Sequence, residues 1–211
     1  MKPAFKVYGN LDGKMAGVPH ISVAAGESGI CKACEMKGFC YATRYQSFRP
    51  SVHASYLKNG VDLTAKVYDM NEIPYVNSHL CRFDAFGELY TGNRGIIQLT
   101  NYCNTCKKNP ETSFVLWSRN YRMVEHYFTT HEKPENLKLI RSTPRLNDPV
   151  HEIPPLWDGV FNVLTSKYAE NHGIVINCGV KDENGDKIGC ARCSTGCYVK
   201  GKKVICYEIV K

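Results

Sequence analysis

The sequence predicts an α/β fold: a mostly parallel sheet or partial (β/α) barrel with a small cysteine-rich C-terminal module. Three observations lead there. Short apolar runs alternate with segments of helical periodicity through the middle of the chain, the pattern of a parallel sheet with helical crossovers. Ser113-Phe114-Val115-Leu116-Trp117 is almost continuously apolar, which suits a strand buried on both faces. After Asn177 the composition shifts to Gly, Lys and Cys. Residues 1–177 therefore read as an α/β domain carrying an N-terminal cysteine loop. Residues 178–211 read as a metal-binding module packed on it.

The elements follow in order. Phe5 to Tyr8 is a short strand candidate ended by Gly9-Asn10. A Gly-rich segment runs from Gly13 to Gly29, and within it His20-Ile21-Ser22-Val23 alternates like a strand. Gly26 and Gly29 allow tight turns just before Cys31. Tyr41 to Tyr68 reads as helical with a break at Pro50, Ser51 as N-cap, and Val52, Tyr56 and Leu57 on one apolar face. Asn59-Gly60 is expected to end that helix, and a second to run from Asp62 to Met70. His79 to Asp84 is a strand. Asn93 to Lys108 is a helix with Ile96, Leu99, Cys103 and Cys106 on its apolar face, stopped by Asn109-Pro110. Ser113–Trp117, Leu137–Ile140 and Gly159–Leu164 are strands, Tyr121 to Phe128 a short helix, and Val204 to Val210 a terminal strand.

Bulk properties limit the function classes. The apolar runs are too short to span a membrane, and Met1-Lys2-Pro3-Ala4-Phe5 lacks the apolar stretch of a secretory signal. A cytoplasmic protein without membrane association is expected. In a reducing compartment, eleven cysteines point to metal rather than to disulfides. A net charge of +7 fits an anionic partner, either a small molecule or nucleic acid. Nothing in the sequence fixes an oligomeric state.

The cysteines sort by spacing and setting. Cys178, Cys190, Cys193 and Cys197 form a complete four-thiolate set, suited to tetrahedral zinc or an iron–sulfur cluster. Cys31, Cys34 and Cys40 form an incomplete trio. It is either a zinc site completed by His20, His53 or His79, or a 4Fe-4S cluster with one iron open. Cys103 and Cys106 share an apolar helix face and read as core, as do Cys81 and Cys206 in strands.

Ligands of parallel sheets gather at the carboxyl ends of strands. Arg82, Asp84 and Glu88 follow one strand, Arg119 a second, Arg141 and Arg145 a third, and Lys167 a fourth. The basic set suits an anionic substrate held by charge-assisted hydrogen bonds. Asp84 or Glu88 is placed to act as acid or base, or to orient Arg82.

These features occur in a recognisable order: Ile21-Ser22, Cys40-Tyr41-Ala42, Arg82-Phe83-Asp84-Ala85-Phe86-Gly87-Glu88, Lys108-Asn109-Pro110 and the terminal cysteine quartet. In this the chain resembles the gene-product-eighty-eight-like family of phage and bacterial cysteine-rich proteins. The stretch from Arg82 to Glu88 matches that family's Arg-x-Asp-x-x-Gly-Asp/Glu element. The family is distantly similar to iron–sulfur, radical-SAM-like barrel enzymes. The resemblance implies a 4Fe-4S cluster, S-adenosylmethionine as a candidate second cofactor, a nucleotide or nucleic-acid-related substrate, and a bacterial host cytoplasm. Phe39 ahead of Cys40 also resembles the radical-SAM cysteine loop. The spacing C-x2-C-x5-C differs from that group's C-x3-C-x2-C. The competing expectation is a non-enzymatic protein that binds Zn2+ and recognises nucleic acid or a host protein.

Overall fold

The computed structural model of the protein describes residues 2–9, 15–186 and 188–210. Asn10 and Gly13, expected in a turn and at the start of the Gly-rich segment, lie outside the described residues.

Six strands form one sheet: β1 (His20–Ile21), β2 (Leu80–Phe83), β3 (Ser113–Ser118), β4 (Leu137–Ser142), β5 (Gly159–Leu164) and β6 (Val204–Ile209). They lie side by side in chain order, and every neighbouring pair is parallel. The helices are α1 (Gly29–Lys32), α2 (Tyr41–Ser47), α3 (Pro50–Ala65), α4 (Gly92–Lys108), α5 (Tyr121–Tyr127) and α6 (Ser166–Asn171). Parallel neighbours need crossovers, and crossovers of one hand between strands in sequential order all pass over the same face. The result is a singly wound, open α/β sheet, a partial barrel.

Side-chain alternation along the strands divides the core in two. Toward the helices, Phe83, Phe114, Leu116, Leu137 and Leu139 pack with Leu63 of α3, Leu99 and Tyr102 of α4, and Val124 of α5. Cys81, Cys103 and Cys106 are buried in this same layer. On the opposite face Val115, Trp117, Ile140, Phe161, Val204 and Cys206 meet Cys178 and Tyr198. Loops supply Met15, Cys178 and Tyr198 to that second cluster, with Ala42 of α2 and Tyr56 of α3 at one side.

Several local expectations change. Phe5 to Tyr8 forms no strand; Tyr8 makes a single antiparallel bridge to His20. Pro50 is the first residue of α3 and Arg49 its N-cap, in place of Ser51; proline at that position loses no helical hydrogen bond. Asn59-Gly60 does not end α3. The Asn59 side chain is buried and donates to the Ser22 carbonyl (2.9 Å) while accepting from the Lys6 amide (2.7 Å). Gly60 admits the Tyr90 hydroxyl where a Cβ would sit 2.5 Å from it. Both residues serve tertiary packing, which overrides their helix-ending tendency. Ala65 is the last residue of α3, so Asp62 to Ala65 belong to that helix and no second helix runs on to Met70. Finally, β6 is a full member of the sheet, so the 178–211 segment contributes a strand to the main fold. Among the described residues no helix is long and apolar enough to cross a membrane.

His20 of β1 is the most perturbed histidine of the sheet. It is 2% exposed, stacks on Tyr8 and bonds the Ser22 hydroxyl through Nδ1 at 2.8 Å. Burial, then the Arg82 charge, lowers its pKa to about 4. The unfolded chain therefore takes up a proton between about pH 6.5 and 4 that the folded chain refuses. Stability falls as pH drops through that window, by up to ~3 kcal/mol. Urea midpoints measured between pH 7 and 4.5 should fall more steeply for the wild type than for His20→Asn. Equal slopes would contradict this account.

Candidate metal centre and strand-end mouth

Arg82 lies in the middle of β2 and points to the loop-covered face. It is 8% exposed. Its guanidinium lies 4.0 Å over the Trp117 ring, and Nη1 approaches Met15 Sδ at 3.7 Å. Its Nε is buried without a hydrogen-bond partner. Among the described residues it makes no ion pair. Burial works against its charge; Tyr41, Tyr198, Cys190 and Cys178 act in the other direction and prevail.

The C-terminal cysteines converge beside it. Asn177 fixes the first. Its side chain donates to the Ile205 carbonyl (2.8 Å) and accepts from the Tyr207 amide (2.8 Å), and the Cys178 amide bonds the Tyr207 carbonyl (3.1 Å). This clips Cys178 to the free edge of β6. A 3-10 turn over Cys190–Arg192 carries Cys190 and delivers Cys193. Gly196 takes the left-handed conformation (φ 84°) that leads into Cys197.

Lys138 of β4 holds this last loop down. It is 4% exposed, and its ammonium donates to the carbonyls of Gly196 (3.1 Å), Val199 (2.9 Å) and Lys202 (2.7 Å). Ser113 of β3 adds a bond to the Tyr198 carbonyl at 2.9 Å.

Cys178, Cys190, Cys193 and Cys197 line a cavity of about 20 Å³ with Trp117 and Tyr198, a space on the scale of one water molecule. Cys206 lies behind it, its sulfur 3.4 Å from that of Cys197. The Cys197 contact and burial push the Cys206 thiol up. All eleven cysteines are outside disulfides. Among the described residues no group of three or more His, Cys, Asp or Glu side chains is arranged to hold a metal ion as it stands.

The N-terminal trio occupies the approach to the strand ends. Ser28 caps α1 by accepting from the Cys31 amide at 3.0 Å. Burial raises the Cys31 pKa, with Glu88 and Cys40 adding to it; Cys31, Cys40 and Glu88 thus share one neighbourhood. Cys34 opens the 3-10 turn Glu35–Phe39, and Cys40 closes it and starts α2. All three are partly exposed. His20 bonds the Ser22 hydroxyl through Nδ1 and stacks on Tyr8.

No protein-family model, curated protein or solved structure matches the chain.

The two carboxylates at this mouth are both buried. Glu88 accepts from the Ser118 hydroxyl (2.6 Å) and the amides of Arg119 (2.8 Å) and Leu89 (3.0 Å). Asp84, at φ 47°, accepts from the Tyr102 hydroxyl (2.8 Å) and Gln98 (3.3 Å). These bonds tie it to α4, while the Arg82 charge still acts on it. Neither carboxylate orients Arg82 by a direct bond. Burial raises both pKa values, that of Asp84 well above the usual carboxylate range, with Glu88 adding to it.

The basic residues divide. Arg119 donates from Nε to the Thr143 carbonyl at 3.1 Å, and Arg141 stacks 4.1 Å from the Tyr121 ring. Arg141 Nε and the Thr143 hydroxyl are buried without partners. Arg145 reaches Glu35 of the cysteine loop at 3.5 Å in an exposed pair. Lys167 is exposed on α6 and joins no cluster. Cys206, Lys138 and Asn177 are the site residues that sequence reasoning missed. Alternation along the terminal strand, which sets Val204 and Cys206 on one face, was the available signal.

Replacing Lys138 by Met removes the buried donor shared by three loop carbonyls, of which those of Gly196 and Val199 keep their turn amides, at a cost of about 1–3 kcal/mol. The amides of Val199 and Lys202, which close turns onto Gly196 and Val199, should then exchange hydrogen faster than in wild type. Unchanged exchange would show that Lys138 does not hold the loop.

Proposed function

We propose that this is a metal–thiolate protein with two centres and chemistry at the strand-end mouth. Cys178, Cys190, Cys193 and Cys197 hold a metal on the loop-covered face. Cys31, Cys34 and Cys40 hold an iron–sulfur cluster at the mouth, where an anionic, nucleotide or nucleic-acid-related substrate binds.

Buried Arg82 is the observation that carries this reading. An uncompensated charge inside a protein costs several kcal/mol. The tyrosines and cysteines that act most on this guanidinium are neutral at pH 7 in their ordinary state, and Asp84, which feels the Arg82 charge, is held well above the usual carboxylate range by burial and Glu88. Metal binding deprotonates cysteine. Four thiolates on a divalent ion carry a net charge of −2, which supplies the missing counter-charge. The small cavity between the C-terminal cysteines favours a single ion such as Zn2+ at that centre.

The trio supports the second centre by its chemistry. Three thiols at a partly exposed loop leave one iron of a 4Fe-4S cluster open to a ligand. S-adenosylmethionine is one such ligand class; the C-x2-C-x5-C spacing gives it no separate support. Asp84 and Glu88, whose pKa values burial raises, are the acid–base candidates at the mouth. Arg119 and Arg141, with the unpartnered Thr143 hydroxyl, suit a phosphate or carboxylate. Phe39, Tyr41 and Phe48 are 54%, 57% and 77% exposed. They alternate with exposed Lys37, Arg44 and Arg49, the combination that stacks bases and tracks a phosphate backbone.

Anaerobically purified protein should contain iron, sulfide and a second metal, and absorb near ~400 nm. The triple variant Cys31→Ala/Cys34→Ala/Cys40→Ala should lose the iron and keep the second metal. A colourless protein holding only zinc would overturn the cluster and favour the non-enzymatic zinc reading. A protein free of metal would overturn both centres.

A further inference from the structure

We infer that α2 and the 3-10 turn leading into it form a stacking platform for a single-stranded nucleic acid. This rests on the reading of the substrate as nucleic-acid-related and commits it to an unpaired strand. It does not depend on what the cysteine trio holds.

The platform is one helix face. Residues three and four apart on a helix are neighbours, so Tyr41, Arg44, Tyr45 and Phe48 follow one another along α2 into its C-cap. The inward face is anchored by buried Ala42 and Gln46. From Tyr41 to Phe48 the rise is about 10 Å, the length of about three nucleotides of a stacked strand. The rings are held in place. The Tyr41 hydroxyl donates to the Ala85 carbonyl, and the Tyr41 and Tyr45 rings lie 5.7 and 5.0 Å from that of Phe86. The Arg49 guanidinium lies 4.0 Å over the Tyr45 ring. Yet Tyr41 and Phe48 remain more than half exposed, as does Phe39 just ahead of them. Aromatic groups already ordered and open to solvent offer bases a stacking partner at small entropic cost.

Charge selects the occupant. Between Gly29 and His53 the chain carries Lys32, Lys37, Arg44 and Arg49 against a single acid, Glu35. The four cations are exposed, and none forms an ion pair among the described residues. Glu35 is paired with Arg145. Rings interleaved with unpaired cations match a polymer of bases and phosphates better than an apolar protein surface. A duplex keeps its base faces stacked inside, whereas a single strand presents them. Arg145 follows β4, so its pair with Glu35 places this platform beside the strand-end mouth.

Fluorescence anisotropy of the full chain, purified anaerobically, tests this with a short labelled oligothymidine and a duplex of the same length. The single strand should bind more tightly. Phe48→Leu keeps apolar bulk and loses the ring; it should weaken binding roughly ten-fold or more, while Phe48→Tyr should bind as wild type does. Arg44→Gln should make the dependence of log Kd on log salt shallower by about 0.7. Phe48→Leu binding as tightly as wild type would overturn the platform and mean that the ring serves an apolar partner. Equal affinity for strand and duplex would overturn the single-strand assignment. Far-UV circular dichroism checks each variant; should Phe48→Leu unfold, an unchanged salt slope in Arg44→Gln would overturn the proposal instead. Iron content of the same samples keeps the two claims apart. An iron-loaded protein that binds no oligonucleotide defeats this inference alone, and an iron-free protein that binds the strand defeats the cluster alone.

Discussion

The structure turns on one buried positive charge. Arg82 occupies the centre of β2, stacks on Trp117 and faces the loops that close the second face of the sheet. Water solvates a guanidinium far better than a protein interior does, so its position demands an anion. The carboxylates nearest in sequence do not supply it. Asp84 is turned to Tyr102 and Gln98, and Glu88 is bound to Ser118 and Arg119. Asp84 still feels the Arg82 charge, but burial and Glu88 hold its carboxyl well above the usual carboxylate range; the other groups acting on Arg82 are cysteines and tyrosines. Under the proposed metal-bound reading, the C-terminal cysteines would, in thiolate form, balance the charge that the sheet presents to them.

The topology explains why the two ends of the chain meet here. A singly wound parallel sheet places its crossover helices on one face; here the other is closed largely by loops from the termini, with α2 and α3 contributing Ala42 and Tyr56. Met15 and the cysteine loop reach that face and its carboxyl-end rim from one terminus, and residues 178–203 reach it from the other. Asn177 and Lys138 then convert a flexible segment into a fixed cover by satisfying backbone groups of β6 and of the 196–202 loop. The mouth at the strand ends remains partly open, with Cys31, Cys40 and Glu88 in one neighbourhood.

Much of this was legible in the sequence. The continuous apolar run at 113–117 and the strand–helix alternation sufficed for a parallel sheet, because burial on both faces leaves no polar alternation to misread. The two cysteine groups stood out by spacing. What was not legible depends on tertiary contact. Asn59-Gly60 carries a helix-ending signature, but Tyr90 and Ser22 need those residues inside a helix. Lys138 sits between Leu137 and Leu139 in β4, and only the folded loop reveals three carbonyls waiting for it. Cys206 lacks a close-spaced partner; pairing of β6 with β5 brings it to Cys197. Asp84 follows its strand at a positive φ and is tied to Gln98 and Tyr102 of α4.

The central claim is that Arg82 and a metal-bound set of thiolates stabilise one another. Its most direct measurement is the stability of wild type and Arg82→Met, each with and without metal. Without metal, Arg82 is an uncompensated buried charge, and removing it should leave stability unchanged or higher. With metal, the same substitution should weaken binding by about 10–100-fold, the usual effect of losing a group that supports the ligands from behind. An equal loss of stability in both states would contradict the account, because Arg82 would then be acting through packing alone.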